Sequence, residues 1–85
     1  MSFNISDPTT DLCREMERLL QDSIDGAKAT VAGNGGHFEI TVVASAFEGK
    51  SMLEQQRMVY GPITPLMTGG SAPVHAIDRM NLSAS

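Results

Sequence analysis

Two histidines are the residues of this chain best suited to chemistry. His37 begins a segment of alternating apolar residues, and His75 lies near the start of a later segment, Val74–Met80. Neutral imidazole is a common metal ligand, and it can replace thiolate at one iron of a two-iron cluster. A single histidine at a strand end is more often incidental than functional. The pair therefore gains meaning only if the fold brings both side chains to one place.

A strand and the helix after it are the elements that must position His37. Phe38, Ile40 and Val42 share one face of the segment 37–44, which is the period-two pattern of a half-buried strand. Ser51 and Glu54 have the spacing of a capping box, which predicts a helix from Met52. Steps of three and four then place a largely apolar set on one face, predicted to be core: Met52, Leu53, Gln56, Val59, Tyr60 and Ile63.

The residues before His37 predict a first helix and the other arm of a hairpin. Asp7 as cap and Pro8 in the first turn begin the helix, and Asp25-Gly26 ends it. Its apolar stripe is Leu12, Met16, Leu19 and Leu20. A weak strand over 27–32 and the glycine-rich turn over 33–36 then close a hairpin onto the His37 strand.

The residues after the central helix predict a broken helical segment and a last strand. Gly61-Pro62 is expected to interrupt the helix, because proline removes a donor and clashes with the preceding turn, leaving Ile63–Met67 as a short offset piece. A loop over 68–73 leads into the last strand, Val74–Met80. We expect a single domain over 7–80, with a flexible N-terminus at 1–6 and a flexible C-terminal tail at 81–85.

The predicted order α-β-β-α-α-β is that of an α+β, type II KH-like fold. It implies a three-stranded mixed sheet with the helices on one face. A right-handed crossover makes the last strand parallel to the second, so His37 and His75 should lie at the same end of the sheet. An RNA-binding KH domain has a Gly-x-x-Gly clamp between its two helices, and no such motif stands at that place in this sequence.

Four segments in register resemble the BolA family. They are Gly36-His37-Phe38, Phe47-Glu48-Gly49, Gln55-Gln56-x-x-Val59-Tyr60-Gly61-Pro62 and Val74-His75-Ala76. The resemblance covers about residues 12–80, and the Gln-Gln and Val-Tyr-Gly-Pro segments are similar to the IbaG-like bacterial branch. The BolA-like fold agrees with the order of elements predicted from the residues. Asp78 and Met80 depart from the family pattern after His75, and the usual C-terminal extension is not seen.

The resemblance implies a partner and a shared cofactor. BolA-like proteins pair with monothiol, CGFS-type glutaredoxins and share a bridging 2Fe-2S cluster, to which the glutaredoxin cysteine and a glutathione thiol bind at one iron. By the same resemblance His75 and His37 are the ligands of the other iron, and the isolated chain carries no cluster. The implied roles are cluster trafficking, maturation, or sensing of iron or acid stress. A nucleic-acid-binding transcriptional regulator is the alternative, with the central helix reading the sequence and Lys50 and Arg57 contacting phosphates.

Composition and charge narrow the function classes. The net charge of −4, with six Lys and Arg among 85 residues, argues against strong nucleic-acid binding and leaves only weak DNA binding open. No apolar run approaches the roughly 20 residues of a membrane span. The single cysteine, Cys13, is expected to be a small core residue in a reducing, cytoplasmic setting. No acid–base or nucleophilic arrangement predicts an enzyme. The sequence leaves a homodimer open.

Overall fold

The computed structural model describes residues 8–69 and 72–84. In chain order these form helix α1 (Pro8–Ser23), strands β1 (Lys28–Asn34) and β2 (His37–Val43), helix α2 (Met52–Ile63) and strand β3 (Ala76–Ser83). Short 3₁₀ turns over Ser45–Phe47 and Thr64–Leu66 flank α2. The predicted flexible segment 1–6 and the Asp7 cap lie outside the described residues. None of the helices in the described ranges is long and apolar enough to cross a membrane.

The sheet has the predicted mixed topology. Its strand order is β1-β2-β3, with β1 antiparallel to β2 and β2 parallel to β3. β2 and β3 can be parallel because α2 connects them as a crossover. A hairpin turn could join only antiparallel strands. The α+β fold with a three-stranded mixed sheet is therefore confirmed.

One face of the sheet carries the core and the other faces solvent. Along β2, Phe38, Ile40 and Val42 are buried, whereas His37 and Glu39 are exposed. The largest fully buried side chains come from both helices, from the sheet and from the loops beside them: Phe38, Phe47, Met16, Leu20, Ile40, Ile63, Val42, Val59 and Val74. Cys13 is buried in the same core, as predicted. The helices thus cover one face, and His37 emerges on the open face.

Side chains of α1 close the outer edge of β1. The Ala29 N–H donates to the Gln21 side-chain oxygen at 3.1 Å, and the Val31 N–H donates to a Glu17 carboxylate oxygen at 2.9 Å. Unpaired edge groups invite another strand to add to a sheet. These two hydrogen bonds occupy such groups and also set the position of α1 along the strand.

The hairpin turn is tighter than predicted. Strand β1 continues to Asn34, which pairs with His37, so only Gly35 and Gly36 form the turn. Both glycines have positive φ, +60° and +84°, as a type I′ hairpin turn requires at its two central positions. The predicted four-residue turn over 33–36 was too long, because Gly33 itself belongs to the strand.

Helix α2 passes through Pro62 instead of stopping before it. The helix ends at Ile63, and only Thr64–Leu66 forms a separate 3₁₀ turn. The predicted interruption at Gly61-Pro62 is therefore wrong. Proline removes only its own donor, and the N–H of Thr64 still donates to the carbonyls of Tyr60 and Gly61. The last turn of the helix remains hydrogen-bonded around the proline.

The predicted core stripe of α2 is only half correct. Val59 and Ile63 are fully buried, whereas Met52 and Leu53 are 54% and 55% exposed and Tyr60 is 39% exposed. The buried positions lie in the C-terminal half of the helix, next to the core. Periodicity gives the direction in which a side chain points but not whether another element lies in that direction. The prediction that the whole stripe is core is wrong at these three residues.

Strand β3 lies later in the chain than predicted. It begins at Ala76 and continues to Ser83, where Leu82 pairs with Val42 and the Ala44 N–H donates to the Ser83 carbonyl at 3.0 Å. Residues 81–83 are therefore strand and not flexible tail. The residues around Leu82 are polar because they occupy the exposed positions of a half-buried strand. Their polarity is why the sequence predicted a flexible tail here. Ser85, at the end of the predicted tail, lies outside the described residues.

The capping box at the start of α2 is present as predicted. The Ser51 hydroxyl accepts a hydrogen bond from the Glu54 N–H at 3.1 Å, and the Ser51 N–H donates to the Glu54 carboxylate at 2.9 Å. Hydrogen bonding to Ser51, mainly through its backbone and secondly through its side chain, holds the pKa of the Glu54 carboxyl group below its usual value. The stabilisation from this lowered pKa is present above the unfolded pKa of Glu54 and is lost as pH falls through the folded one.

Ser51→Ala should weaken the helix start measurably. Loss of an N-cap hydroxyl leaves the Glu54 N–H without its acceptor and typically costs about 1 kcal/mol of stability. Urea unfolding at neutral pH measures this loss. Ser23→Ala is the matched control, because Ser23 is exposed at the end of α1 and should change the unfolding free energy by less than about 0.5 kcal/mol. Equal losses in the two variants would contradict the capping role.

Candidate metal centre

His37 is positioned by the hairpin and faces solvent. It is the first residue of β2 and pairs with Asn34 across the two-residue turn. Its side chain is 58% exposed on the open face of the sheet. A ligand at this position is accessible to another molecule without unfolding any part of the sheet.

His75 is held against the turn of the same hairpin. Its N–H donates to the Gly36 carbonyl at 2.8 Å, and the N–H of Ala76 donates to the same oxygen at 3.0 Å. The imidazole lies directly over Gly36, since a Cβ built on residue 36 would come 2.8 Å from the His75 Cγ. Only glycine leaves room for the ring and adopts the +84° φ of this position without strain.

The two histidines lie at the same end of the sheet, as the topology predicted. His37 pairs with Ala76 in the parallel ladder, so His75 stands one residue before the partner of His37. Both residues are exposed. Among the described residues, none of the side-chain hydrogen bonds involves the His75 ring. The predicted common location is confirmed, while metal binding by the pair stays a prediction.

Asp78 is a site residue that the sequence did not reveal. Its Oδ1 lies 3.2 Å from the His37 Nδ1, and both side chains are largely exposed, 61% and 58%. A carboxylate can only accept, so the hydrogen bond requires a proton on Nδ1 and leaves Nε2 of the neutral ring as the free lone pair. The nearest signal in the sequence was an acidic residue three positions after His75, which alone predicts no contact with His37.

A surface depression adjoins the His37–Asp78 pair. It has a volume of about 280 Å³ and is lined by Ala32, Gly33, His37, Phe38, Glu39 and Asp78. Glu39 belongs to the same surface, but its carboxylate accepts from the Asn81 amide at 3.4 Å and not from a histidine. Within the residues that the structure describes, no group of three or more His, Cys, Asp and Glu side chains could hold a metal ion.

The residues of the alternative nucleic-acid surface lie on a different part of the molecule. Lys50 and Arg57 are exposed before and on α2, as a phosphate-binding role requires. The pKa of Glu54 is lowered first by its hydrogen bonds with Ser51 and then by the positive charges of Lys50 and Arg57. The Glu54 carboxylate therefore lies close to both cations. Clustered, unopposed positive charge is the usual signature of phosphate binding. The surface around α2 does not have that signature.

The chain is similar to known proteins over most of its length. The family model described as BolA-like protein matches residues 14–83. The chain is 29% identical over 63 residues to the acid stress protein IbaG of Escherichia coli strain K12, covering 74% of this chain and 73% of that protein. The match to the family model spans both histidines and Asp78.

Solved structures share the fold. BolA1 from Arabidopsis thaliana superposes with a TM-score of 0.70 at 18% identity, over 94% of each chain. A bolA protein homologue from Coxiella burnetii superposes with a TM-score of 0.68 at 22% identity, over 84% of this chain and 87% of that one. At these identities the likeness establishes the fold alone.

Proposed function

This chain belongs to the BolA family, and we propose that it is the partner of a monothiol, CGFS-type glutaredoxin with which it shares a bridging 2Fe-2S cluster. In this proposal His37 and His75 bind one iron, and the glutaredoxin cysteine and a glutathione thiol bind the other. The protein acts as a carrier or sensor and not as an enzyme. Its setting is the reducing cytoplasm, where these thiols stay reduced.

The observation that supports this proposal most strongly is the joint placement of the two histidines. Backbone hydrogen bonds to the Gly36 carbonyl hold His75 beside the residue that precedes His37. Both imidazoles are exposed at one end of the sheet, where a partner can reach them. Two neutral nitrogen ligands at one iron raise the reduction potential of a two-iron cluster above that of an all-thiolate cluster. In this proposal the chain's own contribution is to supply both nitrogen ligands from one end of its sheet.

Reconstitution with a glutaredoxin tests the proposal. The protein is mixed anaerobically with a CGFS glutaredoxin, glutathione, iron and sulfide, and visible absorption and circular dichroism spectra are recorded. We expect a heterocomplex spectrum for the wild type that is lost or clearly altered in His75→Ala and in His37→Ala, because each variant removes one iron ligand. Identical spectra for the wild type and both variants would show that the ligand assignment is wrong.

Lys50→Ala and Arg57→Ala are the control variants for this experiment. Both residues are exposed and lie just before and on α2, not on the chain segments that carry the histidines. We expect their heterocomplex spectra to match the wild type. If these two variants lost the complex while the histidine variants kept it, the α2 surface and not the histidine pair would be the functional one.

A further inference from the structure

A bulge in β3 brings Asp78 to His37. Phe38 pairs with Ile77, but the next residue of β2, Glu39, pairs with Arg79. Asp78 is therefore the extra residue of β3 and has no pairing partner in β2. Bulges bend a strand locally and re-aim the side chain of the extra residue. Here the re-aimed carboxylate lies 3.2 Å from the Nδ1 of His37.

The geometry points to Asp78 as a positioning residue that selects the tautomer of His37 and so presents Nε2 to the iron of the shared cluster. This inference rests on the proposed function. A metal-binding histidine commonly donates its second ring N–H to a carboxylate or carbonyl, which fixes the tautomer and the ring orientation and raises the basicity of the ligand. Asp78 is in the position to accept that hydrogen bond. The two histidines are thus held by different means, His37 by a side chain and His75 by the backbone of Gly36.

The exposure of the pair argues that its role is orientation and not stability. Ion pairs and hydrogen bonds between largely exposed side chains contribute little to the free energy of unfolding. Removing the Asp78 carboxylate should therefore leave the fold intact. It should still change the tautomer of His37, because the ratio of two tautomers responds directly to a single hydrogen bond.

Nitrogen-15 NMR of the isolated protein tests the tautomer without any metal. Long-range proton–nitrogen spectra recorded at alkaline pH give the ratio of the Nδ1–H to the Nε2–H form of His37. We expect the Nδ1–H form to dominate in the wild type and the ratio to fall by about threefold or more in Asp78→Ala, since one hydrogen bond of ordinary net strength shifts an equilibrium by roughly two- to tenfold. Asp78→Glu should restore part of the ratio.

Glu39→Gln is the matched control. Glu39 lines the same depression and carries the same charge, but it accepts from Asn81. Its replacement should leave the His37 tautomer ratio unchanged. Equal ratios in the wild type and Asp78→Ala would overturn the inference, as would an equal change in Glu39→Gln. If Asp78→Ala unfolds, Asp78→Val makes the same test, because its side chain also lacks an acceptor and its β-branched shape suits a strand.

The heterocomplex supplies a second readout. Loss of a partner behind a metal ligand typically weakens metal binding 10- to 100-fold, so Asp78→Ala should lose cluster to a chelator roughly tenfold faster than the wild type. If His37→Ala and the wild type behave alike, the assignment of His37 as an iron ligand fails, whatever the tautomer measurement shows. If His37→Ala loses the cluster and Asp78→Ala retains it like the wild type, the role of Asp78 fails and the proposed function stands.

Discussion

Gly36→Ala should destabilise the protein by about 2–6 kcal/mol and displace His75 from the candidate metal centre. Two costs add together. A non-glycine residue at a φ of +84° costs about 1–3 kcal/mol. The new Cβ would also come 2.8 Å from the His75 Cγ, and overpacking of this kind costs about 1–3 kcal/mol unless the ring moves away. A domain of this size has only about 4–13 kcal/mol of stability, so the loss is large.

Gly35→Ala separates the two costs. Gly35 is the other residue of the turn and has a φ of +60°, but a Cβ on it would meet nothing within 4 Å. We expect it to lose about 1–2 kcal/mol from backbone strain and to keep the heterocomplex with glutaredoxin. Urea unfolding and cluster reconstitution are measured on both variants. If Gly35→Ala and Gly36→Ala weakened the complex equally, the contact between Gly36 and the His75 ring would not be what positions the ligand.

Ile63→Ala should cost about 2–4 kcal/mol, whereas Leu53→Ala should change the stability by less than about 0.5 kcal/mol. Both residues are apolar and lie on α2, and both belong to the stripe that the sequence predicted to be core. Ile63 is fully buried, so its truncation removes core contacts and leaves a cavity. Leu53 is 55% exposed, so little apolar surface returns to water when it is shortened.

Urea unfolding of the two variants measures the difference. Both substitutions shorten an aliphatic side chain on the same helix. The difference between their unfolding free energies therefore reports which half of α2 packs on the core. A loss at Leu53 as large as the loss at Ile63 would mean that the N-terminal half of α2 is covered in solution. The predicted stripe would then be correct over its full length.

The common location of His37 and His75 could be predicted because it depends only on topology. A hairpin followed by a right-handed crossover makes β3 parallel to β2, and residues at the starts of parallel neighbours share one end of the sheet. No side-chain detail enters that argument. The capping box of Ser51 and Glu54 was predictable for a similar reason, since it connects residues three apart in the chain.

The role of Asp78 could not be predicted because the bulge is not a local feature. The shift between Ile77 and Arg79 is set by how β3 matches β2 along its whole length, with Met80 and Leu82 packed against the core beyond it. One residue more or less in the ladder changes the direction of every side chain near it. Pairing of the entire strand decides such a shift, and the residues around Asp78 do not encode it by themselves.

By its own pattern, the sequence determined the order of the elements, the burial of β2, the start of α2 and the end of the sheet at which both histidines lie. Only the tertiary structure decided that the turn is the pair Gly35 and Gly36, that β3 reaches Ser83, that Leu53 is exposed and that Asp78 contacts His37. The first group follows from interactions between residues close in the chain and from general rules of chain connection. The second group depends on which distant segments of the chain meet. His37 and Asp78, for example, are 41 positions apart in the sequence.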